Sequence, residues 1–384
     1  MNILFLTRLY PEYENQPVTE MSYALHYFSR EWKKNNSLIV LRASFPLYKE
    51  IFENKSLYQK LKPSFELDGI KIYNFKLFRF PKISTIFGIF LLKRLLRNNN
   101  FYPDLIIGHL LSSSIIAYKL SSYFKCKFVL GIHNGDLYSI KKGSFKKAFL
   151  RCSNIACRSF YIKSEFLKYF PEYNDKILIA NSGIEASNIE NHEYFETKIK
   201  NWERKNKIVF ITVARLVKRK NIDIVLYALS FLSEYNFEYI IVGDGEEKDN
   251  LLKLTDKLNL NDRVFFEGEK KREEIFPVLK RTDVFIMVSE RETFGLVYLE
   301  AMAKGNIVIG AKNWGIDGIV IDGKNGFLAE AGDIDHMASL IKRIFLLEFN
   351  ERAALLREIE RTILENTTEK AAENYLRSIC TEDK

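Results

Sequence analysis

Short apolar runs separated by amphipathic stretches recur along the whole of this 384-residue chain, and that alternation narrows the available folds more than any other feature. A run of five or six apolar residues bounded by turns suits a strand buried on both faces; a longer amphipathic stretch suits a helix that covers it. Repetition of the pair is the pattern of parallel sheets crossed by helices. Asn2 to Thr7 reads as the first strand, Val18 to Lys34 as the first helix and Ser37 to Arg42 as the second strand. Pro103 to His109, a helical 112 to 123, and Lys127 to Gly131 repeat the unit. After Lys176 to Ala180, the turn-rich Asn181-Ser182-Gly183-Ile184 marks a domain boundary. A new series starts at Lys207 to Val213 and continues with Tyr239 to Val242, Val264 to Phe266, Val284 to Met287 and Asn306 to Ile309. The expected fold class is therefore α/β: two doubly wound parallel-sheet, Rossmann-like domains, 1–181 and 182–365, facing each other across a cleft that binds ligand at the strand C-terminal ends.

Length supports two domains, since 384 residues exceed what one core usually organises. Hydrophobic residues make up 47% of the chain, enough for two ordinary cores. No run approaches the roughly 18 to 20 apolar residues of a membrane span. Ile3 to Leu6 is too short, and too soon followed by Thr7-Arg8, for a signal peptide, so a cytoplasmic location is expected. Cys126, Cys152, Cys157 and Cys380 show no paired zinc or redox spacing and read as reduced, packed thiols. The net charge of +9 is unevenly spread. Residues 1–180 hold 28 Lys and Arg against 13 Asp and Glu, the rest 30 against 36. The basic residues cluster at Lys93, Arg94 and Arg97, at Lys125 and Lys127, and at Lys141, Lys142, Lys146, Lys147 and Arg151, interleaved with Phe and Leu. An anionic bilayer attracts such a face, and Lys82 to Arg97 would suit it as an interfacial amphipathic helix or, equally, as a helix covering the sheet. No nucleic-acid module is legible, so no nucleic-acid partner is expected.

The chemistry concentrates in Ser289 to Gly305, where Glu292 and Glu300 bracket Thr293-Phe294-Gly295-Leu296 at the mouth of a helix. Free N–H groups of Phe294, Gly295 and Leu296, with the positive end of the helix dipole, favour an anion such as phosphate. Gly295 permits its close approach. Were the whole stretch helical, Glu300 would lie about 12 Å beyond Glu292, so each could grip a different part of one elongated ligand; a nucleotide sugar has such parts. Ala214-Arg215-Leu216-Val217-Lys218-Arg219-Lys220-Asn221 follows a strand, and its Arg215 and Lys220 read as diphosphate clamps, with Lys218 and Arg219 as solvent charges. Gly243-Asp244-Gly245 and Gly268 end two further strands. Asp333-Ile334-Asp335 reads as a helix cap, not a metal site.

The Glu-x7-Glu spacing, with Phe-Gly-Leu after the first Glu and Glu-Ala-Met-Ala-x-Gly around the second, resembles the donor site of the family 4 retaining glycosyltransferases of the GT-B fold (glycosyl transferases group 1). The resemblance is strongest from about Lys207 to Leu328. It implies that Glu292 contacts donor-sugar hydroxyls, that Glu300 hydrogen-bonds the ribose, and that the N–H groups of Phe294, Gly295 and Leu296 face the donor. It assigns Arg215 and Lys220 to the diphosphate, places Gly243 beside the donor and Gly268 by the base, and gives His133, which follows the strand Phe128 to Ile132, a contact with the donor sugar. It also suggests that the terminal helix, within 366–384, packs back on the first domain. The implied reaction is metal-independent, uses a UDP-, GDP- or similar nucleotide sugar without a further cofactor, and proceeds with the donor phosphate accepting the acceptor proton. The implied acceptor is a glycan, lipid-linked, in surface polysaccharide assembly, reached by a cytoplasmic protein peripheral to the membrane. A nucleotide-sugar 2-epimerase of the same fold and a non-catalytic glycan-binding scaffold are the alternatives. Relatives carry a Gly-Gly pair before the first helix; Pro11 to Glu20 contains no glycine here, and Glu20 would oppose phosphate.

Overall fold

The computed structural model describes residues 1–14, 16, 23–44, 62–76, 83–140, 145–202 and 205–380, with the side chains of 43–44, 76, 83–86 and 139–140 left aside. Two compact units emerge: Met1–Arg158 with Ile162–Asn181 and Thr368–Lys384, and Ser182–Thr367 with Ser159–Tyr161. The chain passes from one to the other at Asn181/Ser182 and returns at Thr368.

The first unit is built on an eight-stranded sheet of order β3-β4-β2-β1-β5-β6-β7-β8. Its strands are β1 (Asn2–Leu6), β2 (Ser37–Ser44), β3 (Ser64–Leu67), β4 (Ile70–Lys76), β5 (Leu105–His109), β6 (Lys127–Ile132), β7 (Asn154–Cys157) and β8 (Ile177–Ile179). All neighbours are parallel except β3, which runs antiparallel to β4 at the edge. Sequence periodicity did not reveal the β3–β4 hairpin, because Ser64 to Lys76 mixes charged and apolar residues as an edge strand does. The order reverses at β1, so right-handed crossovers send helices to both faces. The first helix spans Ala24–Lys33. Its expected start near Val18 lies outside the described residues, as does Lys82 ahead of the helix Ile83–Asn98.

The terminal helix Thr368–Cys380 belongs to this first unit and completes its core. Trp32 stacks on Phe28 with ring centres 5.6 Å apart, Tyr375 meets both rings edge-on, and the Trp32 indole N–H donates to the Ala372 carbonyl at 2.9 Å. Edge-on and offset aromatic packing is worth more than its buried area alone. The helix thus fills a place in the sheet's cover that the preceding chain leaves open.

The second unit has six parallel strands in the order β11-β10-β9-β12-β13-β14: β9 (Ile208–Val213), β10 (Phe237–Val242), β11 (Val264–Gly268), β12 (Val284–Met287), β13 (Ile307–Ala311) and β14 (Phe327–Ala329). Its strands are near-continuous apolar text because both faces are covered, from Phe210 and Ile211 to Ile307, Val308 and Ile309, all fully buried. The order reverses at β9, so the loops after β9 and β12 emerge at the switch point where open parallel sheets bind ligands. Asp333 caps the helix Ile334–Leu346 by accepting from the His336 N–H at 2.9 Å, the capping role expected for it.

Candidate functional site

Loops from the C-terminal ends of β9, β10, β11 and β12 converge in the second unit, and backbone hydrogen bonds set their relative heights. Leu216 N–H donates to the Asp244 carbonyl, Glu247 N–H to that of Leu216, and Gly243 N–H to that of Gly268. At Gly243 a Cβ would sit 1.8 Å from the Ala214 carbonyl oxygen, so glycine is required there for one loop to approach another. That need explains Gly243 without any ligand. Gly268, at a left-handed φ of +70°, has open space where a Cβ would stand.

The loop after β9 places its cations by a short 3-10 turn, Lys218–Lys220. Asn221, at a left-handed φ of +53°, ends the turn and donates through its side-chain amide to the Val288 carbonyl, while the Glu290 N–H donates to the Arg219 carbonyl. These bonds hold the cations against the loop that carries Glu292. The Lys220 ammonium, buried, lies 2.6 Å from a Glu292 carboxylate oxygen and 3.4 Å from the Met287 sulfur. The Arg219 guanidinium reaches Ser289 Oγ at 3.2 Å and Glu292 at 3.5 Å. Arg219 is exposed, as its sequence context suggested, yet also joins the cluster; Lys218 faces solvent, paired with Asp223. Burial alone would raise the Glu292 pKa, but Lys220 and Arg219 together hold it below the ordinary carboxylate value. Burial also depresses the Lys220 pKa, against the opposing pull of Glu292. We read the pair as ionised on its geometry, a charge-assisted hydrogen bond. Arg215 stands exposed on the same loop.

Glu292 precedes the helix Leu296–Ala303, whose N-cap is Gly295 at a φ of +83°. The helical spacing assumed between Glu292 and Glu300 thus applies only from Leu296 onward. The N–H groups of Phe294, Gly295 and Leu296 have no protein acceptor among the described residues, so this helix mouth keeps the free donors expected of it. Glu300 lies inside the helix, buried, and a carboxylate oxygen meets the Arg272 guanidinium at 2.7 Å. Burial raises its pKa and Arg272 opposes the rise. Arg272 opens the helix after β11, and nothing in its local sequence marks it; only the fold brings it to Glu300.

In the first unit, His133 follows β6 and its Nε2 lies 2.8 Å from Nδ1 of the fully buried His109. The backbone N–H of His133 donates to Asp136, which also accepts from the Leu111 backbone N–H. Burial raises the Asp136 pKa to about 6 despite these bonds. The His133 pKa falls to about 3, chiefly by burial and then by the nearby Arg158 cation, and that of His109 also falls well below its ordinary value. Before the first helix, Glu12 pairs with Arg42 and its carbonyl accepts from Asn74, so the part of the glycine-free loop that is described is tied to the sheet.

Substituting Arg272→Ala leaves the buried Glu300 without its cation; about 3 kcal/mol of stability is expected to be lost, read from urea denaturation. An unchanged midpoint would show that the pair is not structurally coupled. The histidines predict an acid limb. Their folded pKa values lie below the unfolded value of about 6.5, so their neutral forms contribute stability that is complete above pH 6.5 and lost as pH falls toward 3. Each contributes a slope of up to about 1.4 kcal/mol per pH unit, and His133→Gln should flatten the stability curve between pH 6 and 4.

Comparison with known proteins places these residues within a described family segment. Residues 194–362 match the family described as glycosyl transferases group 1. The chain is 36% identical over 136 residues to N-acetyl-alpha-D-glucosaminyl L-malate synthase of Bacillus anthracis, covering 35% of each chain. It is 35% identical over 137 residues to the lipopolysaccharide core biosynthesis glycosyltransferase LpsE of Rhizobium meliloti, covering 35% of this chain and 39% of LpsE. These alignments thus span little more than a third of each relative's length. Over the full chain, the structure is similar to Anabaena Alr3699/HepE in complex with UDP, with a TM-score of 0.71, 17% identity and 99% of both chains covered. The segment 194–362, which carries every second-unit site residue named above, matches glycosyl transferases group 1 in sequence, and the whole chain shares the two-domain α/β fold of solved structures that include a glycosyltransferase of Rickettsia africae.

Proposed function

We propose that this chain is a retaining glycosyltransferase that moves a sugar from a nucleoside-diphosphate sugar to a lipid-linked glycan in surface polysaccharide assembly. The observation that carries the reading is the gathering of Lys220, Arg219, Glu292 and the open N–H groups of 294–296 at one end of the second sheet. The family match over 194–362 and the UDP held by the structural neighbour support it. The likeness to LpsE favours a surface-glycan acceptor.

In this reading Arg215, Lys220 and the helix mouth bind the diphosphate without a metal, Glu300 takes the ribose and Glu292 the sugar hydroxyls. Gly243 and Gly268 border the donor and its base. As the bond from sugar C1 to the diphosphate oxygen breaks, negative charge grows on the leaving group, where preorganised cations and N–H dipoles act most strongly. The acceptor hydroxyl oxygen bonds to C1 on the same face, and its proton passes to the departing phosphate. Before the donor arrives, Glu292 occupies Lys220, so donor binding shares or displaces that pair.

Peripheral attachment to an anionic membrane would bring a lipid-linked acceptor within reach. Three helices of the first unit, Ile83–Asn98, Leu111–Phe124 and Lys146–Arg151, contain no Asp or Glu, and the middle one packs against both others. They carry exposed Arg94, Arg97, Lys119, Lys146, Lys147 and Arg151 beside exposed Phe87, Phe90, Ile115 and Leu150. Cations with apolar side chains on acid-free helices suit an anionic lipid surface. No helix among the described residues is long and apolar enough to cross a membrane.

Incubation with a panel of UDP-, GDP- and ADP-sugars is expected to release nucleoside diphosphate from one donor class, and Arg215→Ala to reduce release at least a hundredfold. Absence of both binding and release with every donor would leave the scaffold reading in its place. Flotation with vesicles containing phosphatidylglycerol should recover the protein at low salt and lose it on Arg94→Glu/Arg97→Glu/Arg151→Glu substitution. Equal recovery with neutral phosphatidylcholine vesicles would overturn the electrostatic attachment.

A further inference from the structure

A chain of three hydrogen-bonding groups crosses the interior of the first unit. His133 Nε2 lies 2.8 Å from His109 Nδ1, and His109 Nε2 lies 3.1 Å from the hydroxyl of Tyr375 on the terminal helix. His109 is fully buried and Tyr375 nearly so. A neutral imidazole offers one donor and one acceptor, so the polarity of one bond fixes that of the next. Two orders are possible. In one, His133 donates to His109 and His109 to Tyr375, which leaves the buried phenol proton with no acceptor among the described residues. In the other, the Tyr375 O–H donates to His109 Nε2 and the His109 Nδ1–H donates to His133 Nε2. The second order satisfies Tyr375 and His109 and moves the open donor to Nδ1 of His133, which is only half-buried, whereas an unmet donor on the buried Tyr375 is the costly alternative. Packing reinforces it. A Cβ on Gly131 would lie 2.4 Å from His109 Nδ1, so the bare backbone of β6 is what lets that ring lie flat between β5 and His133.

We propose that Tyr375 and His109 are positioning residues that hold His133 in its Nδ1-protonated tautomer, so that its Nδ1–H is offered as a neutral donor to a hydroxyl of a bound sugar. The ligand class rests on the glycosyltransferase reading; the tautomer does not. The depressed pKa of both histidines agrees with a neutral relay. The terminal helix therefore sets the proton position on a residue 242 positions earlier, a link that sequence proximity does not provide.

Long-range proton–nitrogen correlation spectra of the full chain, labelled at its five histidines, read the tautomer directly. Wild-type His133 is expected to show a protonated Nδ1 and an unprotonated Nε2 at pH 7.5. Tyr375→Phe should mix the two tautomers and lower kcat/KM about tenfold, the effect of one misdirected hydrogen bond. His109→Gln, whose amide can accept from Tyr375 and donate to His133, should restore both where His109→Leu does not. Circular dichroism melts establish that each variant is folded before it is scored. A protonated Nε2 on wild-type His133, or an unchanged tautomer in Tyr375→Phe, would overturn the proposal even if donor turnover is observed. The expected tautomer without consumption of any nucleotide sugar would uphold the relay and count against the glycosyltransferase reading instead.

Discussion

The buried ion pair between Lys220 and Glu292 organises the second unit's site. Its oxygen and nitrogen are 2.6 Å apart, and each partner favours the charged form of the other against the cost of burial. Around the pair, Arg219 supplies a second cation, Asn221 ties the β9 loop to Val288, and Gly315 N–H ties a later loop to the Glu292 carbonyl. The pair is also a stored preference. Under the proposed function a phosphate would compete with Glu292 for Lys220, so the anion accepted would have to offer more charge or more hydrogen bonds than one carboxylate, as a diphosphate does. Arg272 and Glu300 repeat the device on a smaller scale. Charged side chains that would be costly to bury singly are held there in pairs.

The first unit uses a different economy. Among its interior polar groups, Tyr375, His109 and His133 are linked end to end, with the buried Arg158 donating to the Ala180 carbonyl at 2.6 Å beside them. Neutral hydrogen-bonded groups tolerate burial without counter-charges. The contrast matches the division of charge along the chain. The unit with the excess of acidic residues pairs its site cations with carboxylates, whereas the basic unit leaves many of its cations on the surface.

Much of this was legible early because parallel α/β folds write their plan locally. Each buried strand is a short apolar run, each ligand loop follows a strand, and Glu292, Gly295 and Glu300 fall within nine residues of one another. What stayed hidden was whatever depends on partners far apart in sequence. The Ser64–Lys76 hairpin carries the mixed pattern of an edge. Arg272 looks like an ordinary first-turn residue of a helix, and Arg219 like one more charge in a basic run. Gly243 ends a strand as a ligand-facing glycine would, and only the fold shows that its backbone must also approach Ala214 closely.

By itself, then, the sequence determined the strand and helix alternation, the division near Asn181 and the residues at the helix mouth after β12, because periodicity, turn chemistry and free N–H groups act over a few residues. Tertiary structure alone decided which charges meet. Lys220 and Glu292 are 72 residues apart, and His109 and Tyr375 are 266. No local pattern encodes such pairings. They exist because sheet order brings separate loops to one edge, and because a buried charge or hydroxyl is stable only where that order supplies its partner.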